Sequence, residues 1–97
     1  MIRIVFEFYV EQETGLRHIE RHDVGLEEID EFFNNSVFFE KQREDKSFVA
    51  YGKLSNGRYL KVIYRKKAKD LYFIITAFDL EDKQVIQYLD EVLDEDY

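Results

Sequence analysis

The sequence predicts a single α+β domain spanning residues 1–97, with a four- to five-stranded, mostly antiparallel sheet, two N-terminal helices and a C-terminal helix. Three observations support this fold class. Several short segments alternate apolar with polar residues, which is the period of a strand with one buried face. The dipeptide Asn56-Gly57 joins two of these segments and is typical of a hairpin turn. Elsewhere apolar residues recur at helical spacing, and an apolar content of 45% is enough for one packed core.

The N-terminal third is predicted to form one strand and two helices. Residues 2–9, IRIVFEFY, alternate in the manner of a strand. Residues 11–22 are polar with few apolar anchors, and we predict a helix there that Gly15 weakens. Residues 26–33 place apolar side chains at helical spacing and predict a second helix, which the sequence NNS (34–36) ends.

The middle of the chain is predicted to form consecutive antiparallel strands. SVFFE (36–40) and KSFVAYGK (46–53) are rich in β-branched and aromatic residues, and RYLKVIYR (58–65) alternates strictly. We expect positive φ at both residues of the Asn56-Gly57 turn, because asparagine and glycine tolerate that conformation. The polar run KKAKD (66–70) predicts a second turn.

The last part of the chain is predicted to be a strand followed by a helix. LYFIITAF (71–78) is almost wholly apolar, which is typical of a central strand covered on both faces. Asp79 is predicted to cap the final helix. The apolar stripe of that helix consists of Val85, Ile86, Leu89, Val92 and Leu93.

Charge is distributed unevenly along the chain, whose formal net charge is -7. Residues 54–70 carry six basic side chains and one acid, whereas residues 79–97 carry eight acids and one base. One hypothesis is that the acidic end lies beside the basic segment and partly neutralises it, which would oppose RNA binding. The alternative is that the acids form the solvated face of the last helix.

Several kinds of site and location are not expected. The chain has no cysteine, and the pair His18 and His22 has no evident third ligand, so we expect no metal or cofactor. No apolar run approaches the ~20 residues that span a bilayer, so we expect no membrane contact. Arg3 and Glu7 interrupt the N-terminal apolar run, which therefore does not read as a signal peptide. A cytoplasmic location is the expectation.

Five short patches follow one another in a recognisable order: FEFY (6–9), RHDV (21–24), EEIDEFF (27–33), GKLSNGRYLKVIY (52–64) and IITA (74–77). Together they resemble the BrnT family. The resemblance implies a RelE-like fold, the activity of a ribonuclease toxin in a bacterial type II toxin–antitoxin pair, and a cognate antitoxin as partner. RNA is then the expected substrate, and the resemblance leaves homo-oligomer formation open. The chain departs from the family where Phe78 and Asp79 follow IITA, because the family usually has arginine there, and family members are typically basic.

The candidate catalytic residues combine arginines with one imidazole. Arg58 and Arg65 bracket a predicted strand, and a planar guanidinium suits the stabilisation of charge on a phosphate. Arg21 and His22 lie in the family-like RHDV patch, and an imidazole can shuttle protons near neutral pH. The candidate RNA-binding residues are the lysines of the same basic segment, Lys61, Lys66, Lys67 and Lys69.

A second interpretation makes the chain a binding module. The basic segment is then a solvated hairpin whose lysines protect an exposed edge, and His22 is an ordinary histidine at a helix end. The missing arginine after Ala77 and the acidic balance favour this alternative, which is a catalytically inactive RelE-fold domain that binds protein or RNA. The family-like spacing favours the ribonuclease.

Overall fold

The computed structural model describes residues 3–15 and 17–94, apart from the side chains of residues 18, 21 and 92–94. Five strands, two α-helices and one short 3₁₀ helix make up this part of the chain. In order they are β1 (Val5–Phe8), the 3₁₀ helix (His18–His22), α1 (Leu26–Asn34), β2 (Phe38–Gln42), β3 (Phe48–Lys53), β4 (Tyr59–Ala68), β5 (Leu71–Asp79) and α2 (Lys83–Asp94). Among the described residues, no helix is long and apolar enough to cross a membrane.

The strands form one mixed sheet in the order β1-β5-β4-β3-β2. The four C-terminal strands are antiparallel neighbours in chain order, whereas β1 pairs with β5 in parallel. The predicted α+β class and the mostly antiparallel sheet are therefore confirmed. The parallel pair arises because the first strand joins the last one, after the chain has crossed the sheet through α1.

The hairpin between β3 and β4 is confirmed, but its turn differs from the prediction. Only Gly57 has positive φ, at 90°. The Leu54 N–H donates to the Arg58 oxygen at 2.8 Å, which closes a loop of three residues. Such a loop needs one left-handed residue at its end, whereas the two-residue type I′ turn needs two. Asn56 instead accepts a hydrogen bond from the Arg58 N–H through its side chain, at 2.9 Å.

The prediction of a helix over residues 11–22 is wrong. Residues 12–14 form a turn and Gly15 has φ of 72°, and of the described residues in this range only His18–His22 is helical, as a 3₁₀ helix. Val10 and Arg17 form an isolated antiparallel bridge across this turn. The segment has too few apolar anchors to bury a helical face, so a glycine-containing turn competes successfully with a helix.

The turn before β5 and the cap of the helix after it both differ from the prediction, although β5 begins at Leu71 as predicted. Lys66 and Lys67 lie in β4, which continues to Ala68, so the turn before β5 is confined to residues 69–70. At the other end Asp79 belongs to β5, and the helix cap is Asp82. The Asp82 carboxylate accepts hydrogen bonds from the N–H groups of Gln84 at 2.9 Å and Val85 at 3.3 Å. An aspartate preceding a helix by a few residues can serve equally well as its cap.

The main core lies between α1 and one face of the sheet. Phe32 and Phe33 of α1 are buried against that face, together with Tyr64 of β4. Gly52 of β3 permits the close approach of the helix, because a Cβ atom there would lie 2.7 Å from the Phe32 ring. The opposite face of the sheet is covered in part by α2, through buried Leu89. The prediction that β5 is a central strand is confirmed.

Candidate functional site

Arg58 occupies the end of the hairpin turn, immediately before β4. Its Nε–H donates to the Asp79 carboxylate at 2.5 Å, and its Nη1 donates to the Glu28 carboxylate at 2.9 Å. Asp79 reaches this position because it pairs with Leu60 in the antiparallel ladder of β4 and β5. Glu28 lies in the first turn of α1. One guanidinium therefore links the hairpin to the end of β5 and the start of α1.

The remaining donors of Arg58 are directed at the 3₁₀ helix. Nη1 also donates to the Asp23 carbonyl at 2.8 Å, and Nη2 donates to the His22 carbonyl at 3.0 Å. Asp23 has φ of 56°, a left-handed conformation that ends the 3₁₀ helix and leaves these carbonyls without helical partners. Since a guanidinium has five N–H donors, this arrangement leaves at most one of them for a ligand. We call the group of Arg58, Glu28, Asp79 and the two carbonyls the Arg58 clamp.

The charges in the Arg58 clamp stabilise one another. The hydrogen bond to Asp79 is the main reason that the pKa of Arg58 is raised above its usual value. Partial burial opposes ionisation of Glu28, but hydrogen bonds from the Gly25 N–H and from Arg58 outweigh it and lower the pKa of Glu28. Both side chains are 22% exposed, so the pair is shielded from much of the solvent.

A cleft of about 430 Å³ lies beside the Arg58 clamp. His22 and Lys61 line it together with Phe78. The His22 and Phe78 rings are 5.6 Å apart, and the Lys61 ammonium is 5.6 Å from the Phe78 ring centre, within the range of a cation–π contact. The rest of the lining consists of four acids and a leucine: Asp23, Asp79, Glu81, Asp82 and Leu80. This cleft is therefore predominantly acidic.

The other candidate cations lie at the far end of β4. Arg65 is exposed and approaches Asp45, with an Nη1 hydrogen bond of 3.3 Å to the Asp45 carbonyl. Lys67 pairs with Glu7 at 2.7 Å. Lys69 is exposed in the turn and has no ion pair within the described part of the chain.

Lys66 belongs to a separate cluster at that end of the sheet. Its ammonium pairs with Glu40 at 2.5 Å and lies 4.4 Å from the Phe48 ring centre. Glu40 also accepts a hydrogen bond from the Tyr64 hydroxyl. Burial is the main reason that the pKa of Tyr64 is raised well above its usual value. The Lys66 charge is thus already compensated by a carboxylate.

The predicted catalytic residues do not converge on one point. Arg58 and Arg65 are separated by seven residue steps of a strand, which at about 3.3 Å each places them roughly 23 Å apart. The structure brings His22, Lys61 and Arg58 to one end of β4, and it leaves Arg65 at the other end. The side chain of Arg21, the fourth predicted catalytic residue, lies outside the described residues.

The pair of His18 and His22 is also not the helical arrangement that the spacing suggested. These residues lie in a 3₁₀ helix, which has about three residues per turn, so positions i and i+4 do not share a face as they do in an α-helix. The side chain of His18 lies outside the described residues. Within the described residues, no three histidine or carboxylate side chains group closely enough to hold a metal ion.

Sequence reasoning missed the two carboxylates that hold Arg58. The position of Asp79 follows from the register of the hairpin and the next strand, so the alternation in residues 59–79 contained a usable signal. Glu28 is contributed by a helix 30 residues earlier in the chain, and nothing in its local pattern distinguishes it from its neighbour Glu27. Glu40, which holds Lys66, was missed for the same reason.

Comparison of the chain with protein families, with curated proteins and with solved structures found no match in any of the three.

Proposed function

We propose that this chain is a RelE-like module of the BrnT type that binds a protein partner and does not cleave RNA. The observation that carries the proposal is the Arg58 clamp. Stabilising a phosphate in a cleavage transition state requires donors that are aimed at the substrate. In this chain the donors of Arg58 are instead aimed at two carboxylates and two carbonyls of the protein itself.

Charge compensation elsewhere on β4 supports the same conclusion. Lys66 pairs with Glu40, Lys67 pairs with Glu7, and Arg65 lies beside Asp45. RNA affinity depends on cations that neutralise phosphates in place of counterions. Binding of RNA along this strand would require these ion pairs to be broken, on a chain whose net charge of -7 repels polyanions.

The proposed partner is a protein of the cognate antitoxin kind, which contacts the exposed Arg65 and Lys69 at the far end of β4. An acidic segment of the partner would gain from the unpaired Lys69 and would compete with Asp45 for Arg65. Such charge complementarity mainly accelerates association. We therefore expect the association rate to fall as salt concentration rises and to fall again in Lys69→Glu.

A second candidate function is the ribonuclease that the resemblance implies. One observation favours it, namely that His22 and Lys61 line the same cleft beside Phe78. An imidazole can transfer a proton, an ammonium can hold a phosphate oxygen, and an aromatic ring can stack on an unpaired base. The four carboxylates of that cleft oppose this function, because they repel the phosphates.

The decisive experiment is an RNA cleavage assay with purified chain, run beside a measurement of partner binding. Mixed RNA is incubated with the wild type, with His22→Ala, with Lys61→Ala and with Arg65→Ala. We expect no cleavage above a buffer blank in any of them, while the product of a neighbouring reading frame forms a complex with the wild type. Cleavage that is lost in His22→Ala and Lys61→Ala but retained in Arg65→Ala would overturn the binding proposal in favour of the ribonuclease.

A further inference from the structure

The two halves of the sheet face opposite α1 are covered to different extents. Over the half that contains β2 and β3 lies α2, whose Tyr88 ring centre is 5.2 Å from that of Phe39. The Asp90 carboxylate of α2 accepts a hydrogen bond from the Tyr59 hydroxyl and lies 3.7 Å from the Lys53 ammonium. These contacts fix α2 over β2, β3 and the start of β4.

The other half of this face, at β1 and β5, is open to solvent. Phe6 of β1 packs against the main core, so its neighbours Val5 and Glu7 project from the opposite face. In the parallel ladder they lie beside Leu71 and Phe73 of β5, which are half-buried. Val5 is 57% exposed and the Glu7 side chain is 47% exposed. With exposures of this size, no helix among the described residues lies over this half.

A continuous row of apolar side chains crosses the open half. Phe73 pairs with Arg65 of β4, and Ile63 is the next residue of β4 on the same face. From Leu71 to the pair of Ile63 and Thr76, the row covers five residue steps of β5, roughly 16 Å at about 3.3 Å each. Three turns of an α-helix, at about 5.4 Å each, have the same length. We call these four residues the apolar row: Val5, Leu71, Phe73 and Ile63.

Basic side chains border the apolar row, although the chain as a whole is acidic. β4 contains no acidic residue, and the side chains of Arg65 and Lys67 are 49% and 52% exposed. Glu7 pairs with Lys67 at 2.7 Å, whereas Asp45 reaches Arg65 only at 3.9 Å. Lys61 projects from the same face of β4 and has no ion pair among the described residues. The open half therefore offers an apolar surface beside incompletely compensated cations.

The covered half shows what kind of segment this face accepts. The α2 sequence KQVIQYLDEVLD carries three acids and one base. Leu89 of α2 is buried, and the next residue, Asp90, meets Lys53 at the side of the helix. An acidic amphipathic helix thus supplies both an apolar residue and a carboxylate to this face. Two helices, each about 10 Å across, fit side by side on five strands spaced about 4.8 Å apart.

We propose that the open half of the sheet binds an acidic amphipathic helix of a protein partner, about three turns long, beside α2. Apolar side chains of that helix would cover the apolar row, and its carboxylates would pair with Arg65 and Lys61. This binding mode rests on the proposed function, because the helix belongs to the partner that contacts Arg65 and Lys69. RNA fits the surface less well, since Phe73 is the one aromatic residue of the row on which a base could stack.

A synthetic helix provides the first test. The acidic probe is a peptide of about 18 residues with leucines at helical spacing and glutamates and glutamines elsewhere, since shorter isolated helices are marginally stable. A matched basic probe has lysines in place of the glutamates. By NMR of the full chain, we expect the acidic probe to shift the backbone amides of residues 63–65 and 71–73.

The order of the two affinities separates a local surface from the charge of the whole chain. We expect the acidic probe to bind about tenfold more tightly than the basic one. Net charge alone predicts the reverse order, because a chain of charge -7 attracts a basic peptide. Tighter binding of the basic probe at these amides, or no shift with the acidic probe, would overturn the proposal.

Two exposed valines provide a matched pair of variants. Val5→Glu places a carboxylate in the apolar row and should weaken binding of the acidic probe about tenfold, because like charges oppose each other at the interface. Val37→Glu adds the same charge before β2, at a valine that is 46% exposed, and should leave binding unchanged. Equal weakening by both variants would mean that only net charge matters, which contradicts a site at the apolar row.

The basic border is tested in the same way. Arg65→Glu should weaken binding of the acidic probe more than Lys83→Glu does, although both make the same change in net charge. Lys83 is exposed at the start of α2, which follows the far end of β5 from the apolar row. Equal effects of the two variants would remove Arg65 from the site.

Further measurements identify the occupant and separate this site from the proposed function. If the product of a neighbouring reading frame binds the wild type and Val5→Glu equally well, the binding function stands and this site is wrong. A single-stranded RNA oligonucleotide that shifts the same amides and displaces the acidic probe would assign the surface to nucleic acid instead. Shifts of these amides with rising concentration of the chain alone would assign it to a second copy.

Discussion

Two arginines at opposite ends of one strand show how burial decides the role of a charged side chain. Arg58 is 22% exposed and donates to two carboxylates and two carbonyls that come from three other elements. Arg65 is 49% exposed, and among the described residues it approaches only Asp45, at 3.9 Å between the charged atoms. Both residues looked equally suited to hold a phosphate when only their positions in the sequence were considered.

The two arginines differ in their contacts because their guanidinium groups have different surroundings. At the start of β4, the 3₁₀ helix, α1 and the end of β5 converge, so unpaired carbonyls and carboxylates there require a donor. At the far end of β4, beyond Tyr64, the strand extends past β3 and pairs with β5 alone, and the Arg65 side chain is exposed to solvent. The first arginine is therefore a structural connection, and the second is a surface charge available to a partner.

The largest expected effect concerns stability. Arg58→Ala leaves Glu28, Asp79 and the carbonyls of residues 22 and 23 without their donor, and we expect it to lower the free energy of unfolding by about 2–4 kcal/mol. Arg65→Ala removes a solvent-screened contact and should change it by less than about 0.5 kcal/mol. Denaturant unfolding of both variants, followed by circular dichroism, measures the difference. Similar losses in the two variants would show that the Arg58 clamp is no more than a surface ion pair.

A smaller effect is expected in the pH dependence of stability. The pKa of Glu28 is lowered from an ordinary value of 4.5, so its stabilising contribution is fully present above that value and is lost as pH falls through the lower pKa of the folded state. Glu28→Gln should therefore flatten the acid side of the stability curve. Thermal unfolding between neutral and acidic pH measures this slope.

The neighbouring residue supplies a matched control for that experiment. Glu27 is exposed in the same turn of α1 and has no ion pair among the described residues, so Glu27→Gln should leave the acid side of the curve unchanged. An equal flattening by both variants would mean that the net charge of the helix, and not the contact with Arg58, produces the pH dependence.

The smallest effect concerns the carboxylate beside Arg65. Hydrogen bonds from the Ser47 hydroxyl and N–H are the main cause of the lowered pKa of Asp45, and the charge of Arg65 contributes least. We expect the pKa of Asp45, measured by NMR titration, to stay low in Arg65→Ala and to rise in Ser47→Ala. A rise of equal size in Arg65→Ala would show that Arg65 is bound more firmly than its exposure indicates.

The sequence by itself determined the features that depend on neighbouring residues. Alternation, β-rich composition and one apolar run predicted the strands of the sheet, and Asn56-Gly57 predicted the pairing of β3 with β4, because residue pattern and turn conformation are local properties. The same local reasoning failed over residues 11–22, where no strong period exists, and it misplaced the cap of the last helix from Asp82 to Asp79. It also ended β4 too early, at Arg65, because a run of lysines is typical of a turn. The pairing with a neighbouring strand that keeps Lys66 and Lys67 in β4 is not visible in the local sequence.

Only the tertiary structure decided which charges meet. Arg58 and its partner Glu28 are 30 residues apart, and Lys67 and Glu7 are 60 residues apart. The joining of β1 to β5 likewise connects the first strand to the last. Such contacts arise when apolar faces pack and bring distant segments together, so their geometry depends on the whole core and not on any short pattern. Candidate site residues could therefore be named from the sequence, whereas their separation into a clamp and a surface charge could not.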